Sequence, residues 1–209
     1  MADSPRTMRN LELVGGTIAL DFANTGERFY GRAVGVERLV RYEDLVTFGV
    51  RTGLLGEERA ERLLEEARRR PADAEAVVAR ARTLRDTLYT LFAQVAHEGR
   101  ADAESIEVLN SFLAEGLRYR RLEPDERCCG WTWSAGDEPL AQMLWPIANS
   151  AAELLVEGEL ERIKLCNNES CAWLFLDVSR NRSRRWCDMK DCGNRAKARR
   201  HYARKRGAE

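Results

Sequence analysis

The chain has 209 residues, with 34 Lys and Arg against 34 Asp and Glu and 44% hydrophobic residues, a composition that excludes disordered and fibrous classes. No run reaches the roughly 18 uninterrupted apolar residues of a membrane helix, and the opening Met1-Ala2-Asp3-Ser4-Pro5-Arg6 lacks a charged-then-apolar export signal. The expectation is a cytoplasmic protein with one good-sized core and a small appendage, in which six cysteines call for a metal or redox explanation rather than disulfides.

Zero net charge conceals a segregation. Residues 162–209 hold 14 Lys and Arg against 5 Asp and Glu, about +9, leaving 20 against 29 before them. All four lysines, Lys164, Lys190, Lys197 and Lys205, fall in this tail. The asymmetry suggests an end that faces nucleic acid, with a solvated basic tail as the alternative.

Near the N-terminus, Thr17 to Thr25 suits either a short helix or a strand, because a short apolar run does not fix its period. Gly26, Gly31 and Gly35 then predict a loop. Asp21 and Asn24 read as caps or as polar groups aimed into a ligand pocket. From about residue 43 the pattern is helical. Ala60, Leu63, Leu64 and Ala67 mark one helix; Val77, Ala81, Leu84, Leu88, Leu91 and Val95 mark a long one over 73–98, punctuated by Pro71 and Gly99. Ile106, Leu109, Leu113 and Leu117 mark a third. Residues 117–122 and 130–134, divided by Glu123-Pro124-Asp125, predict a β-hairpin, with Cys128 and Cys129 as small buried or reactive thiols beside it. Leu140, Met143, Leu144, Ile147, Ala151, Leu154 and Leu155 predict a later helix over 139–158, capped by Asp137 and ended by Gly158.

The C-terminal cysteines carry the most specific signal. Cys166-Asn-Asn-Glu-Ser-Cys171 and Cys187-Asp-Met-Lys-Asp-Cys192 have identical gaps, and such gaps let one tight turn deliver two sulfurs to a tetrahedral ion. Cys166, Cys171, Cys187 and Cys192 are therefore expected to hold one structural Zn²⁺ per chain. Four thiolates leave no open position for a catalytic water. Between the pairs, Trp173 to Val178, a polar turn over 179–183 and a return through Arg184-Arg185-Trp186 predict a zinc-ribbon hairpin. Its apolar content exceeds what one face can bury, so one side should pack on the helical region.

Beyond the fourth ligand, Asn194 reads as the cap of a basic helix with almost no apolar stripe, its start suited to a phosphate. The candidate nucleic-acid residues are Arg180, Arg182, Arg184 and Arg185 on the hairpin, with Asn194, Arg195, Lys197, Arg199, Arg200 and Arg204 on the helix. Arginine's planar fork suits phosphates and guanine edges.

Cys192-Gly193-Asn194-Arg195, Trp173-Leu174-Phe175-Leu176-Asp177, Ser179-Arg180-Asn181 and Arg184-Arg185-Trp186-Cys187 together resemble the bacterial CGNR zinc-finger family. Leu20-Asp21-Phe22-Ala23-Asn24-Thr25 is similar to the signature of the ABATE domain that precedes the finger in that family. The resemblance implies a stress-responsive transcriptional regulator that binds DNA through the finger.

The expected fold is mainly α with a small β-hairpin: a helical ABATE-like domain over 1–161, then a zinc-ribbon-like finger over 162–209 ending in the basic helix. DNA is the expected partner, through a cytoplasmic regulator whose helical domain senses a small-molecule effector or forms a homodimer. RNA binding by the same basic surface stays open. An enzyme with its site near Asp21 and Asn24 is the weakest reading, since the sequence offers no nucleophile–His pair and no Gly-rich phosphate loop.

Overall fold

The computed structural model describes residues 7–29, 32–126, 128–134, 139–168 and 170–206; for 27–29, 32–36, Arg200, His201, Ala203, Arg204 and Arg206 it describes the backbone alone. Among the described residues no helix is long and apolar enough to cross a membrane.

The run that sequence left between helix and strand is a helix, α1 (Ile18–Ala23). Thr17 starts it by accepting from Leu20 N at 3.3 Å. Burial decides the rest: Ala19, Leu20, Phe22 and Ala23 are fully enclosed where α1 meets the long helix α4 (Pro71–Glu98) and α6 (Leu144–Glu157). Six residues would not hold a helix alone. Full burial of each large apolar side chain contributes about 1.5–3 kcal/mol.

The predicted glycine loop is instead a hairpin, β1 (Gly26–Phe29) against β2 (Arg32–Glu37). Gly26 serves a close approach, since a Cβ there would stand 3.1 Å from the Arg85 guanidinium carbon. That buried guanidinium is in turn held by Glu37 at 2.5 Å and Asp86 at 2.8 Å.

The helical succession follows the apolar stripes. After α2 (Tyr42–Arg51) and α3 (Glu57–Arg69), α4 starts with Pro71 in its first turn and stops at Gly99, whose φ of +70° an L side chain would resist. Its stripe Val77, Ala81, Leu84, Leu88, Leu91 and Val95 is buried throughout. Asp102 caps α5 (Ala103–Leu117) by accepting from Ser105 N at 2.8 Å. A Cβ on Gly116 would meet Trp145 at 2.8 Å, so this glycine lets α5 and α6 come together. Leu117 closes α5, and the first strand of the following hairpin starts later than expected and takes in Glu123 and Pro124 of the expected turn: β3 (Arg120–Pro124) pairs with β4 (Cys129–Trp133), Leu122 opposite Trp131. Tyr119 stacks on buried Trp145 at 4.2 Å and fastens it to the helices.

The expected cap Asp137 lies outside the described residues, and α6 begins well after it, with Met143 in the cap position. Residues 140–143 form a turn instead, with the Leu140 carbonyl accepting from the Tyr42 hydroxyl at 2.8 Å. Gly158 ends the helix as expected.

The C-terminal part departs most from the sequence reading. β6 (Leu174–Leu176) does not pair with the return segment 184–186; its partner is β5 (Ile163–Leu165), which precedes the first cysteine, with Lys164 opposite Phe175. Residues 184–186 form no strand. Ile163 and Leu174 belong to the same buried core as the helices, so the finger is docked on them. A single wide helical turn, Met189–Gly193, leads without a break into α7 (Asn194–Arg206).

Candidate metal centre and nucleic-acid interface

The hairpin β5–β6 brings Cys166 and Cys171 together, and Phe175 behind them forms a second small core with Cys187 and Cys192. All four sulfurs lie within 4.8 Å of one another. Cys171 to Cys187 is 3.6 Å and Cys187 to Cys192 is 3.7 Å. A tetrahedron with zinc–sulfur bonds of about 2.3 Å has edges of about 3.8 Å, whereas a disulfide would draw two sulfurs to about 2.05 Å. All are free thiols. Hydrogen bonds from Cys171, Cys187 and Cys192 hold the Cys166 thiol well below the ordinary range, while Cys187 is pushed well above it by the same crowding. Four acidic donors packed this way fit one divalent cation that displaces their protons. The centre is a structural Zn²⁺ site.

Each knuckle is braced by surrounding groups, among them Arg184 and Arg199, which the sequence assigned to nucleic acid instead. In the first, Cys166 N donates to Trp173 O at 2.8 Å and Cys171 N to Asn168 O at 2.9 Å. Ala172, at φ +57°, turns the chain back into β6. Asn168 is buried, and its Oδ1 accepts from Arg199 Nη2 at 2.6 Å, which ties α7 to the first knuckle. In the second, Arg184 covers the Phe175 ring at 4.7 Å, donates from Nε to Trp186 O at 2.9 Å, and binds the Cys187 carbonyl through Nη2. Asp177 is the hub between them. Its carboxylate accepts from Lys164 Nζ (2.5 Å), Ser179 N (3.0 Å) and Arg184 N (2.9 Å). Burial alone would raise its pKa, but those donors outweigh burial and hold it well below the carboxylate range. A lone acid inside an arginine-rich stretch was the available signal.

The basic candidates divide into two groups. Arg182, at φ +51°, bridges Glu159 and Glu161, each at 2.6 Å, and Arg184 is spent on the knuckle. Arg195 pairs with Asp191, and Arg199 holds Asn168. Arg180, Arg185 and Lys197 are exposed, as is Lys190, which was not among the candidates. Arg185 lies over the Trp186 ring at 5.6 Å. The side chains of Arg200 and Arg204 lie outside the described residues. Asn194 is not a helix cap: its backbone is helical, and its Nδ2 donates to Lys190 O at 2.8 Å. The helical start lies further back, at Asp188, whose carboxylate accepts from Asp191 N at 2.8 Å and already occupies the place proposed for a phosphate.

Asp21 and Asn24 each bond to backbone, in two different places. Asp21 accepts from Gly15 N at 2.7 Å and fastens the segment before α1. Asn24 is wholly buried and reaches across to the finger: its Nδ2 donates to Leu174 O at 2.8 Å, and its Oδ1 accepts from Leu174 N at 2.9 Å. The amide behaves as one more rung beside β6. Leu176 N also donates to Gly15 O at 2.8 Å, and the Tyr89 hydroxyl to Ala172 O at 2.9 Å. Three anchors hold the finger to the helices.

Burial, only partly offset by the Gly15 and Val14 amides and Arg51, raises Asp21 to about 6. Its charged form is thus disfavoured in the fold, so its contribution to stability is full below about pH 4 and is lost as pH rises through about 6. Asp177 has the opposite sign, with a contribution lost only as pH falls below the usual carboxylate range. Melting between pH 7.5 and 5 should therefore show a gain in stability that Asp21→Asn removes. An unchanged slope in the variant would show that the gain arises elsewhere.

A helical domain that carries a docked four-cysteine zinc finger is the class these features define. Residues 16–158 match the model of the ABATE family, described as "Putative stress-induced transcription regulator", and residues 162–205 match the CGNR zinc finger. The chain belongs to the ABATE family and ends in a CGNR zinc finger. No curated protein matches it.

Proposed function

We propose that the protein is a transcription regulator that binds DNA through its zinc finger, its helical domain receiving a signal or pairing with a second copy. The observation that carries this reading is the exposed cation set Arg180, Arg185, Lys190 and Lys197 on a metal-braced module, beside Arg182, Arg184, Arg195 and Arg199, which are engaged in internal contacts. Phosphates attract such groups without regard to sequence, and each one neutralised releases counterions. α7 adds length to this surface while burying little of its own. A groove of about 430 Å³ lined by Val40, Tyr42, Ala67, Pro71, Val78 and Arg82 has room for a small effector. A reducing cytoplasm would keep the thiolates available to zinc.

The test is the affinity of the zinc-loaded full-length chain for duplex DNA as salt is varied. Replacing Arg180, Arg185, Lys190 and Lys197 together by Ala should weaken binding and reduce the salt slope by about one for each lost phosphate contact, with zinc retained. Arg184→Ala should instead loosen the metal. Absence of salt-dependent DNA binding would end the proposal, and a strong preference for structured RNA would replace it with RNA recognition.

A further inference from the structure

Two thiols lie outside the zinc centre. Cys128 and Cys129 are exposed and unbridged, with sulfurs 3.3 Å apart. Consecutive residues of a regular strand point to opposite faces, so this approach requires a departure from the strand. The turn before β4 supplies it. Cys128 precedes the strand and is fixed by Asp125, whose Oδ1 accepts from Cys128 N at 2.9 Å and whose own N–H donates to Cys128 O at 3.3 Å. Both sulfurs thus leave one end of the hairpin, where Pro124 stands opposite Cys129. Their mutual hydrogen bond raises the Cys129 thiol above its ordinary range.

Oxidation does not suit this pair. Adjacent Cα atoms stand about 3.8 Å apart across a trans peptide, short of the roughly 4.4–6.8 Å usual for a disulfide, so a bridge would be strained and easily reduced. A closed tetrahedral zinc site does not suit it either, since two further ligands are needed. A soft acceptor that takes two sulfurs and keeps them apart fits both limits.

We propose that Cys128 and Cys129 form a chelating site for trivalent arsenicals, separate from the zinc finger. With phenylarsine oxide, both thiols lose their protons and two arsenic–sulfur bonds form. The arsenic-bound oxygen leaves with those protons as water. Arsenic stays trivalent, so no oxidant or reductant is consumed. Three of the zinc cysteines are buried and Cys171 is half-buried, and a bound metal would protect all four, whereas this pair is open.

The experiment treats zinc-loaded full-length protein with one equivalent of phenylarsine oxide and follows intact mass, zinc content and tryptophan emission, Trp131 being exposed two residues from Cys129. One phenylarsenic adduct per chain is expected, with zinc retained, resistance to excess monothiol and release by a dithiol. Cys128→Ser and Cys129→Ser should each weaken binding by about 100-fold or more, the usual advantage of a second tethered contact. Both positions are exposed, so melting should be unchanged and a lost adduct would not reflect unfolding. No adduct, an equally tight adduct in the double Ser variant, or zinc released in step with arsenic uptake would each overturn the proposal.

Discussion

Cys187→Ser is expected to release the zinc and weaken the helical domain as well as the finger. A structural zinc contributes about 10–16 kcal/mol in small zinc modules near neutral pH, as much as the whole stability of many domains. The small cluster of Cys166, Phe175, Cys187 and Cys192 cannot replace that. Loss would spread because Ile163 and Leu174 belong to the main core and Asn24 depends on Leu174 for both its amide bonds. Amide protection should fall in the finger and also in α1 and α4, alongside a metal content near zero. One zinc per chain in the variant would remove Cys187 from the ligand set. Unaltered protection of α1 would show that the docking contributes no stability.

Asn24→Ala should give the second large effect while leaving the four sulfurs in place. It strands the N–H and C=O of Leu174 in a buried setting, at about 1–3 kcal/mol for each unsatisfied group. Asn24→Asp should be no milder, because it keeps an acceptor for the Leu174 N–H but sets a carboxylate against the Leu174 carbonyl. Urea unfolding at fixed zinc, with exchange of the Leu174 amide, measures both. A change of less than about 0.5 kcal/mol in Asn24→Ala would mean the contact is idle.

The sequence made some of this legible, and physics explains the division. The stripe on α4 could be read because a helix repeats its buried face every three or four residues, and Pro71 and Gly99 act locally at its ends. The metal site could be read because each knuckle is local and the gaps match. The partner of β6 could not: a three-residue strand carries no register, and the segment that follows it competes on equal terms with the one that precedes it. The roles of Asn24, Tyr89 and Arg199 stayed hidden because each acts on a group far along the chain, 150 residues away for Asn24. Charge count also hid the difference between Arg182, which is internally paired, and Arg180, which is exposed.

Anchors from Gly15, Asn24 and Tyr89 tie the finger to the helical domain at three separate points. Two such chains joined through their helical domains would present their basic faces at one separation and one rotation, set by the joining surface alone. On B-DNA that amounts to a fixed phase, so inserting about five base pairs, half a helical turn, between two half-sites would turn one face away from its groove. A flexible tether would absorb the insertion; this architecture would register it as lost binding.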